Sequence, residues 1–374
     1  MEEMYSMTSI RGIIIVIITL LLTGFKQVQC QDRQSSLILG FRPHYGFIVK
    51  HTGKLEGLTK TYPWGLEADV SWQFMSERSW QYCFCYPRAG ISFLYTNFAN
   101  PEILGSSFAL YPFVEPSING DRKLHATVRF GMGPTYLNNT FDSIENPENK
   151  FYSTAISFIV HADFSLNYVV NERLFLRLSA DFNHISNGGI KNPNLGINFP
   201  SASLGVEYNF NPLPYISWTK DKSIKLIPYN HRIDLTVFAT GKTAVKGHER
   251  YPVYGICTGF SYVVGRQHAV SLAAEFTADL AEGELIMKDS LMKGDEFIDH
   301  KYVALLAGHE LILGRFNFYQ QLGVYMYSPY ERRDKVFQRY GLNFYLTNKL
   351  FIGTNIKAHR QVADFIDFRM GLSF

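Results

Sequence analysis

A period of two governs most of this chain. From Leu174 to Asn183 the residues divide by parity into an apolar set, Leu174, Leu176, Leu178, Ala180 and Phe182, and a second set containing Arg177, Ser179, Asp181 and Asn183. Successive side chains of a β-strand point to opposite faces, so an extended segment keeps such sets apart. The alternation recurs near the start of the chain, where Leu37, Leu39, Phe41, Tyr45, Phe47 and Val49 oppose Arg42, His44 and Lys50. At the end, Ile366, Phe368, Met370, Leu372 and Phe374 oppose Asp367, Arg369 and Ser373.

Between these ends, the same pattern and its turn residues predict strands near 64–74, 88–96, 106–113, 124–136, 153–169, 173–186 and 201–210. A Pro- and Lys-rich stretch, Asn211 to Asn230, then breaks the alternation and marks a boundary. Beyond it, strands are expected near 232–239, 253–264, 269–276, 301–311, 316–327, 337–346, 350–358 and 363–374. The total is roughly sixteen strand-like segments, within the range of known membrane barrels.

Composition decides which all-β architecture fits. Aromatic residues make up 15% of the chain, with 30 Phe and 23 Tyr, yet hydrophobic residues reach only 46%, and the mean hydropathy is −0.07. No run of about eighteen apolar residues follows the N-terminal region, so helical spans are excluded there. A transmembrane antiparallel β-barrel reconciles the two figures, because half of each strand faces lipid and half a polar lumen. A single larger barrel is favoured over two tandem eight-stranded barrels, since a second embedded barrel would need its own insertion. The net charge of +3, from 36 basic and 33 acidic residues, names no partner. No basic stripe interleaved with aromatics points to nucleic acid.

An internal echo links the two halves. Phe164-Ser165-Leu166-Asn167-Tyr168 and Arg173-Leu174-Phe175-Leu176 match Tyr340-Gly341-Leu342-Asn343-Phe344 and Lys349-Leu350-Phe351-Ile352. Duplication and the general likeness of membrane strand pairs both account for it. The second copy reaches Ala358-His359-Arg360-Gln361 where the first reaches His184-Ile185-Ser186-Asn187, so the second half is expected to contribute wall rather than chemistry.

The N-terminus reads as a targeting segment. Arg11 precedes the apolar run Gly12 to Leu22, which is short for a bilayer span and suits a signal-peptide core. Val28-Gln29-Cys30 offers a cleavage point, giving a signal peptide over 1–30. A lipoprotein acylated on Cys30 and an uncleaved anchor are the alternatives. Of the other cysteines, Cys83 and Cys85 can form a tight oxidised loop, Cys257 reads as structural, and no zinc pattern accompanies them. The final strand, closed by Phe374, resembles the assembly signal of Gram-negative outer-membrane barrels, which makes the outer-membrane assembly machinery an expected partner. The organisation expected is therefore 1–30 signal peptide, 31–210 barrel portion bearing the site, 211–230 connecting segment and 231–374 additional strands.

Reactive groups gather where the alternation stops, between Asp181 and Asn198. Parity puts His184 and Ser186 together on the apolar face, with Cα atoms roughly 7 Å apart. An imidazole beside a hydroxyl is the minimum for acyl transfer by serine, since the ring takes the hydroxyl proton during attack. The same two residues also read simply as a strand end before a loop. In that loop, Asn187-Gly188-Gly189 and Asn192-Pro193-Asn194 offer N–H donors for an oxyanion, or act as turn formers.

His184-Ile185-Ser186-Asn187-Gly188-Gly189-Ile190-Lys191, followed by Pro193-Asn194 and Gly196, closely resembles the active-site strand and loop of PagL-type lipid A 3-O-deacylases, which are outer-membrane β-barrel esterases. The resemblance covers about residues 35–210. It implies that His184 is the base and Ser186 the nucleophile, and that Asn187, Gly189 and Asn194 belong to the loop and oxyanion site. Where well-known members carry a Glu that orients the His, this chain has Asn198. An amide can orient an imidazole but does not neutralise an imidazolium. Asp181 and Glu207 lie on the polar parity, behind the sheet from His184, which leaves Asn198 as the third member by position.

The expected substrate is lipid A of lipopolysaccharide in the outer membrane of a Gram-negative bacterium, from which an ester-linked 3-O acyl chain is removed. No metal or organic cofactor is implied. The competing expectations are a catalytically inactive barrel, serving as a channel or lipid-binding structural protein, and an outer-membrane phospholipase.

Overall fold

The computed structural model describes residues 35–50, 57–244, 250–284, 299–328, 334–360 and 362–374. The proposed signal peptide, its Cys30 and Gln361 lie outside the described residues. The first half holds β1 (Ser35–Gly46), β2 (Trp64–Phe74), β3 (Arg88–Asn97), β4 (Ser106–Glu115), the two-residue β5 (Ser117–Ile118), β6 (Leu124–Leu137), β7 (Ile156–Val169), β8 (Leu174–Ser186) and β9 (Ile197–Asn209). The second half holds β10 (His231–Thr243), β11 (Arg250–Val263), β12 (His268–Asp279), β13 (Lys301–Leu313), β14 (Phe316–Tyr327), β15 (Val336–Tyr345), β16 (Leu350–His359) and β17 (Val362–Ser373). All wall pairings given a register are antiparallel, and the strands agree with the sequence pattern to within a few residues at each end.

Closure differs from expectation. β1 pairs with β9 through Ile38↔Asn209 to Gly46↔Ser201, and β4 pairs with β6 through contacts such as Phe113↔Gly131, so the first half closes as an eight-stranded barrel. β10 pairs with β17 from Asp234↔Ser373 to Ala239↔Phe368, which closes the second half as another barrel. The favoured single sixteen-stranded wall is therefore corrected to two closed eight-stranded barrels. Alternation alone does not distinguish them, because it specifies which side chains face inward and leaves open which strand meets the first. The interior accounts for the outcome, since eight strands enclose a space that side chains fill, whereas sixteen leave an aqueous channel.

The parity reading holds along the walls. On β1, Leu39, Phe41 and Tyr45 are exposed while Arg42 and His44 are buried. The first barrel's lumen contains four arginines, Arg42, Arg88, Arg129 and Arg177, among the carboxylates Glu67, Asp69, Glu115, Asp163, Asp181 and Glu207. Arg42 spans Glu67 at 2.7 Å and Asp69 at 3.2 Å, and Arg129 reaches Glu115 at 2.6 Å. Buried charge is tolerated only when paired in this way. The second barrel repeats the scheme with Arg232 on Glu310 at 2.8 Å, Arg369 on Asp367 at 2.6 Å, and an Arg339–Glu275 pair. A cavity of about 40 Å³ lined by Arg232, Asp234 and Glu310 has room for a few waters and none for a solute.

The echo has a structural counterpart. Its segments fall on the sixth and seventh wall strands of each barrel, β7–β8 and β15–β16, and the hairpins share one register: Phe164↔Ala180 and Tyr340↔Ile356. Their turns bond alike, Val170 N–H to Leu174 O at 2.9 Å and Leu346 N–H to Leu350 O at 2.9 Å. A matched register and turn exceed what two unrelated strand pairs require.

One short helix, α1 (Glu77–Cys83), escaped the sequence reading. Seven residues carry too little periodicity to announce a helix. Ser76 caps it by accepting from Ser79 N–H at 3.2 Å, and Cys83 is disulfide-bonded to Cys85. Its Trp80 packs with Met75 and Tyr86 against Leu213 and Trp218 of the connecting segment, and Gln81 donates to Thr219 O at 3.1 Å.

Candidate active site

Strands β8 and β9 position the reactive groups by direct cross-strand pairing. His184 stands opposite Asn198 in the ladder, where facing side chains lie within reach of each other. Asn198 Oδ1 is 2.7 Å from His184 Nδ1. A carbonyl oxygen only accepts, so this bond sets the ring proton on Nδ1 and leaves Nε2 as the acceptor. His184, Ser186 and Asn198 are half-buried on the outward parity, while Asn183, Ile185 and Asn187 are buried. The outward face is thus where parity placed them, and Ser186 follows His184 by two residues at the strand end.

Gly196 sets the approach to the imidazole. It has φ +70°, and a Cβ at this position would lie 2.7 Å from His184 Cε1. A side chain here would push the ring from its pairing with Asn198, so the close approach requires glycine.

The loop between β8 and β9 is organised by the side chain of Asn187. Its Oδ1 accepts Gly189 N–H at 3.1 Å, and its Nδ2 donates to Lys191 O at 2.7 Å. Asn194 Oδ1 accepts Asn187 N–H at 3.0 Å. Of the N–H donors the loop was expected to offer an oxyanion, those of Asn187 and Gly189 are thus occupied within the loop, and Asn194 and Asn187 are the residues that hold them.

Further support comes from residues the sequence reading did not single out. Ser153 Oγ donates to Lys191 O at 2.8 Å. Leu195 N–H donates to Lys150 O at 3.1 Å and Gly196 N–H to Phe151 O at 2.9 Å. Neighbouring Tyr152 gives its hydroxyl to Leu104 O at 2.6 Å, and burial pushes its phenol well above the usual tyrosine range. These contacts join segments distant in sequence, and no local signal marks them.

Asp181 and Glu207 lie inside the barrel as parity requires. Glu207 is held by Arg88 at 2.6 Å and Arg177 at 3.0 Å, and Asp181 faces His44 at 3.4 Å. His161, Asp163 and Asp181 bring three possible metal-ligand atoms within 4.8 Å of one another. However, Arg177 Nη2 holds both oxygens of Asp163, at 2.9 and 3.1 Å, and this cluster is behind the sheet from His184. In the second barrel, the shared hairpin register sets Arg360 at the position of His184, two residues beyond the Ala358 at which the sequence echo put it. His359 stacks on Tyr325 at 6.0 Å and bonds its hydroxyl at 3.0 Å. His359→Ala is expected to change hydrolysis less than about threefold in an inserted protein, measured beside His184→Ala. A loss as deep as that of His184→Ala would move the active centre.

Two family models match the chain: lipid A 3-O-deacylase (PagL) over residues 65–207, and acyloxyacyl hydrolase, C-terminal domain, over residues 231–374. A comparison with curated proteins finds no match. Among solved structures, the chain is similar to the outer membrane enzyme PagL at 17% identity, covering 44% of this chain and 97% of that one with a TM-score of 0.33. It is also similar to Neisserial surface protein A at 9% identity, covering 47% and 99% with a TM-score of 0.32. The family matches, one on each barrel, carry the assignment rather than these superpositions.

Proposed function

Because the chain belongs to the PagL family of lipid A 3-O-deacylases, outer-membrane acyl ester hydrolases, we propose that Ser186 removes the 3-O acyl chain of lipid A with His184 as base and Asn198 as the residue that orients it. The observation that carries this reading is the 2.7 Å contact of Asn198 Oδ1 with His184 Nδ1 on the outward face. With the ring proton on Nδ1, Nε2 is the nitrogen that accepts.

The steps balance without a cofactor. Ser186 Oγ attacks the ester carbonyl while its proton passes to Nε2, and the imidazolium keeps its Nδ1–H on Asn198. Asn187 N–H and Gly189 N–H turn from their neutral loop acceptors to the developing oxyanion, a charged and stronger acceptor. Collapse breaks the ester bond, and Nε2 returns the proton to the departing sugar oxygen. Water, activated by the same ring, then releases the fatty acid from Ser186.

Placement agrees with this substrate. The connections at 98–105, 138–155 and 187–196 lie at one end of the first barrel, and those at 75–87, 116–123 and 170–173, the last two short turns, at the other. Outer-membrane barrels carry their longer loops outside the cell and their short turns in the periplasm. The site therefore sits at the outer-leaflet end of the lipid-facing wall, where lipid A resides. Mass spectrometry of lipid A from cells expressing the chain tests the reading. One 3-O fatty acid is expected to be missing; loss from phospholipid instead would favour a phospholipase, and no loss from a well-folded barrel would favour an inactive one.

Position 198 provides a separate check. Asn198→Ala removes the acceptor for Nδ1–H, frees the ring to exchange tautomers, and is expected to lower kcat by about tenfold or more. Asn198→Glu is expected to preserve or raise the rate, because a carboxylate stabilises the imidazolium formed during attack. Equal rates for the alanine variant and wild type would remove Asn198 from the mechanism.

A further inference from the structure

Two outward-facing residues of the second barrel are covered although their neighbours are bare. Thr243, on the outward parity of β10, is 8% exposed, whereas Ile233, Leu235 and Val237 on the same face are 47–54% exposed. On β17, Ile366 is half-buried, while Phe368 and Met370 beyond it are 70% and 54% exposed. What covers them is the reactive loop of the first barrel.

The fit is close. Thr243 Oγ1 donates to Ile190 O at 3.1 Å. A Cβ on Gly188 would collide with the side chain of Ile366, and one on Gly189 would lie 2.7 Å from Asp364 O and 3.1 Å from Ala363 O. Both glycines also have positive φ, +65° and +83°, so backbone conformation and space each require glycine here. A separate contact joins the halves where Arg266 donates to Gln81 O at 2.8 Å. Farther down the walls, Val160 and Phe182 of the first barrel remain 45% and 47% exposed.

We propose that the loop-side rim of the second barrel, Thr243 together with Ala363–Ile366, is a positioning element of the esterase that fixes the Gly188–Ile190 backbone. Asn187 and Gly189 carry the donors assigned to the oxyanion, so a rim that clamps the segment from Gly188 to Ile190 keeps that backbone beside the ester while the donors turn from Asn194 and Asn187 to the oxyanion. Loss of one oxyanion donor costs about 10²–10³ in kcat. The rim touches neither His184 nor Ser186 in any contact described above, and it acts through the loop. This inference rests on the deacylase reading and extends it to the second barrel.

The test uses the full-length protein in outer membranes, with Thr243→Val, Thr243→Ser and Ile366→Ala, each checked for barrel folding by heat-modifiable gel mobility. Thr243→Val keeps the shape but removes the donor; kcat is expected to fall about tenfold with KM changed less than about threefold. Thr243→Ser is expected to restore the rate. Hydrogen–deuterium exchange over residues 187–191 is expected to quicken in Thr243→Val and Ile366→Ala, a readout independent of turnover. Unchanged kcat in active protein overturns the proposal even if exchange quickens, because the contact is then structural only. A fall in kcat with unchanged exchange also overturns it. Absence of hydrolysis in wild type instead overturns the deacylase reading and the rim's role in it together, which separates the two failures.

Discussion

Replacing Ser186 by alanine is expected to leave lipid A untrimmed, with the rate at least about 10³-fold below wild type, while the barrel inserts and resists unfolding as before. The size follows from the proposed serine mechanism: without the hydroxyl, the imidazole of His184 would have no nucleophile to activate, and in a serine hydrolase removal of the serine costs about as much as removal of the whole catalytic set. The stability side follows from the fold. Ser186 is the last residue of β8, half-buried and outward-facing, and changes at such sites usually stay within about 0.5 kcal/mol. The measurement pairs lipid A mass spectrometry with the urea midpoint of gel mobility. Trimming at the wild-type rate would refute the serine mechanism, whereas loss of trimming with loss of the folded band would call for Ser186→Thr or Ser186→Cys as the informative variant.

Arg177→Met is expected to have the largest effect on stability. Arg177 Nη1 lies 2.9 Å from both oxygens of Glu115 and 3.0 Å from Glu207, and Nη2 holds Asp163. One buried guanidinium thus partners three buried carboxylates. Removing it leaves charge buried without compensation, which typically costs about 3–5 kcal/mol. Methionine fills most of the volume, so the loss would report charge rather than a cavity. A urea midpoint indistinguishable from wild type would mean that the lumen hydrates or reprotonates freely on losing the arginine.

The walls were legible because lipid and lumen impose opposite demands on alternate residues, and each strand therefore carries its own orientation. Leu176, Leu178 and Phe182 face outward and Arg177, Ser179, Asp181 and Asn183 inward, as parity alone required. The same parity placed Asn198 beside His184. Barrel number was not legible, because Ile38↔Asn209 and Asp234↔Ser373 are closures between residues far apart in sequence, and either partner would satisfy the alternation. The occupied state of the Asn187 and Gly189 donors was also hidden. It depends on how the side chains of Asn194 and Asn187 fold back onto the loop, which residue type alone does not dictate. Likewise, Thr243 is an ordinary strand residue until its neighbour across the rim is known.

On the proposed reading, an enzyme whose reactive face points away from the buried lumen meets its substrate by lateral movement within a leaflet. Its encounter rate is then set by the mole fraction of lipid A in the surface rather than by molarity in solution. Detergent or inert lipid that dilutes that surface should slow turnover in proportion even at constant bulk substrate, and two proteins sharing one vesicle should deplete a common two-dimensional pool. The released fatty acid enters the same layer, so product removal depends on the bilayer rather than on any pore through the protein.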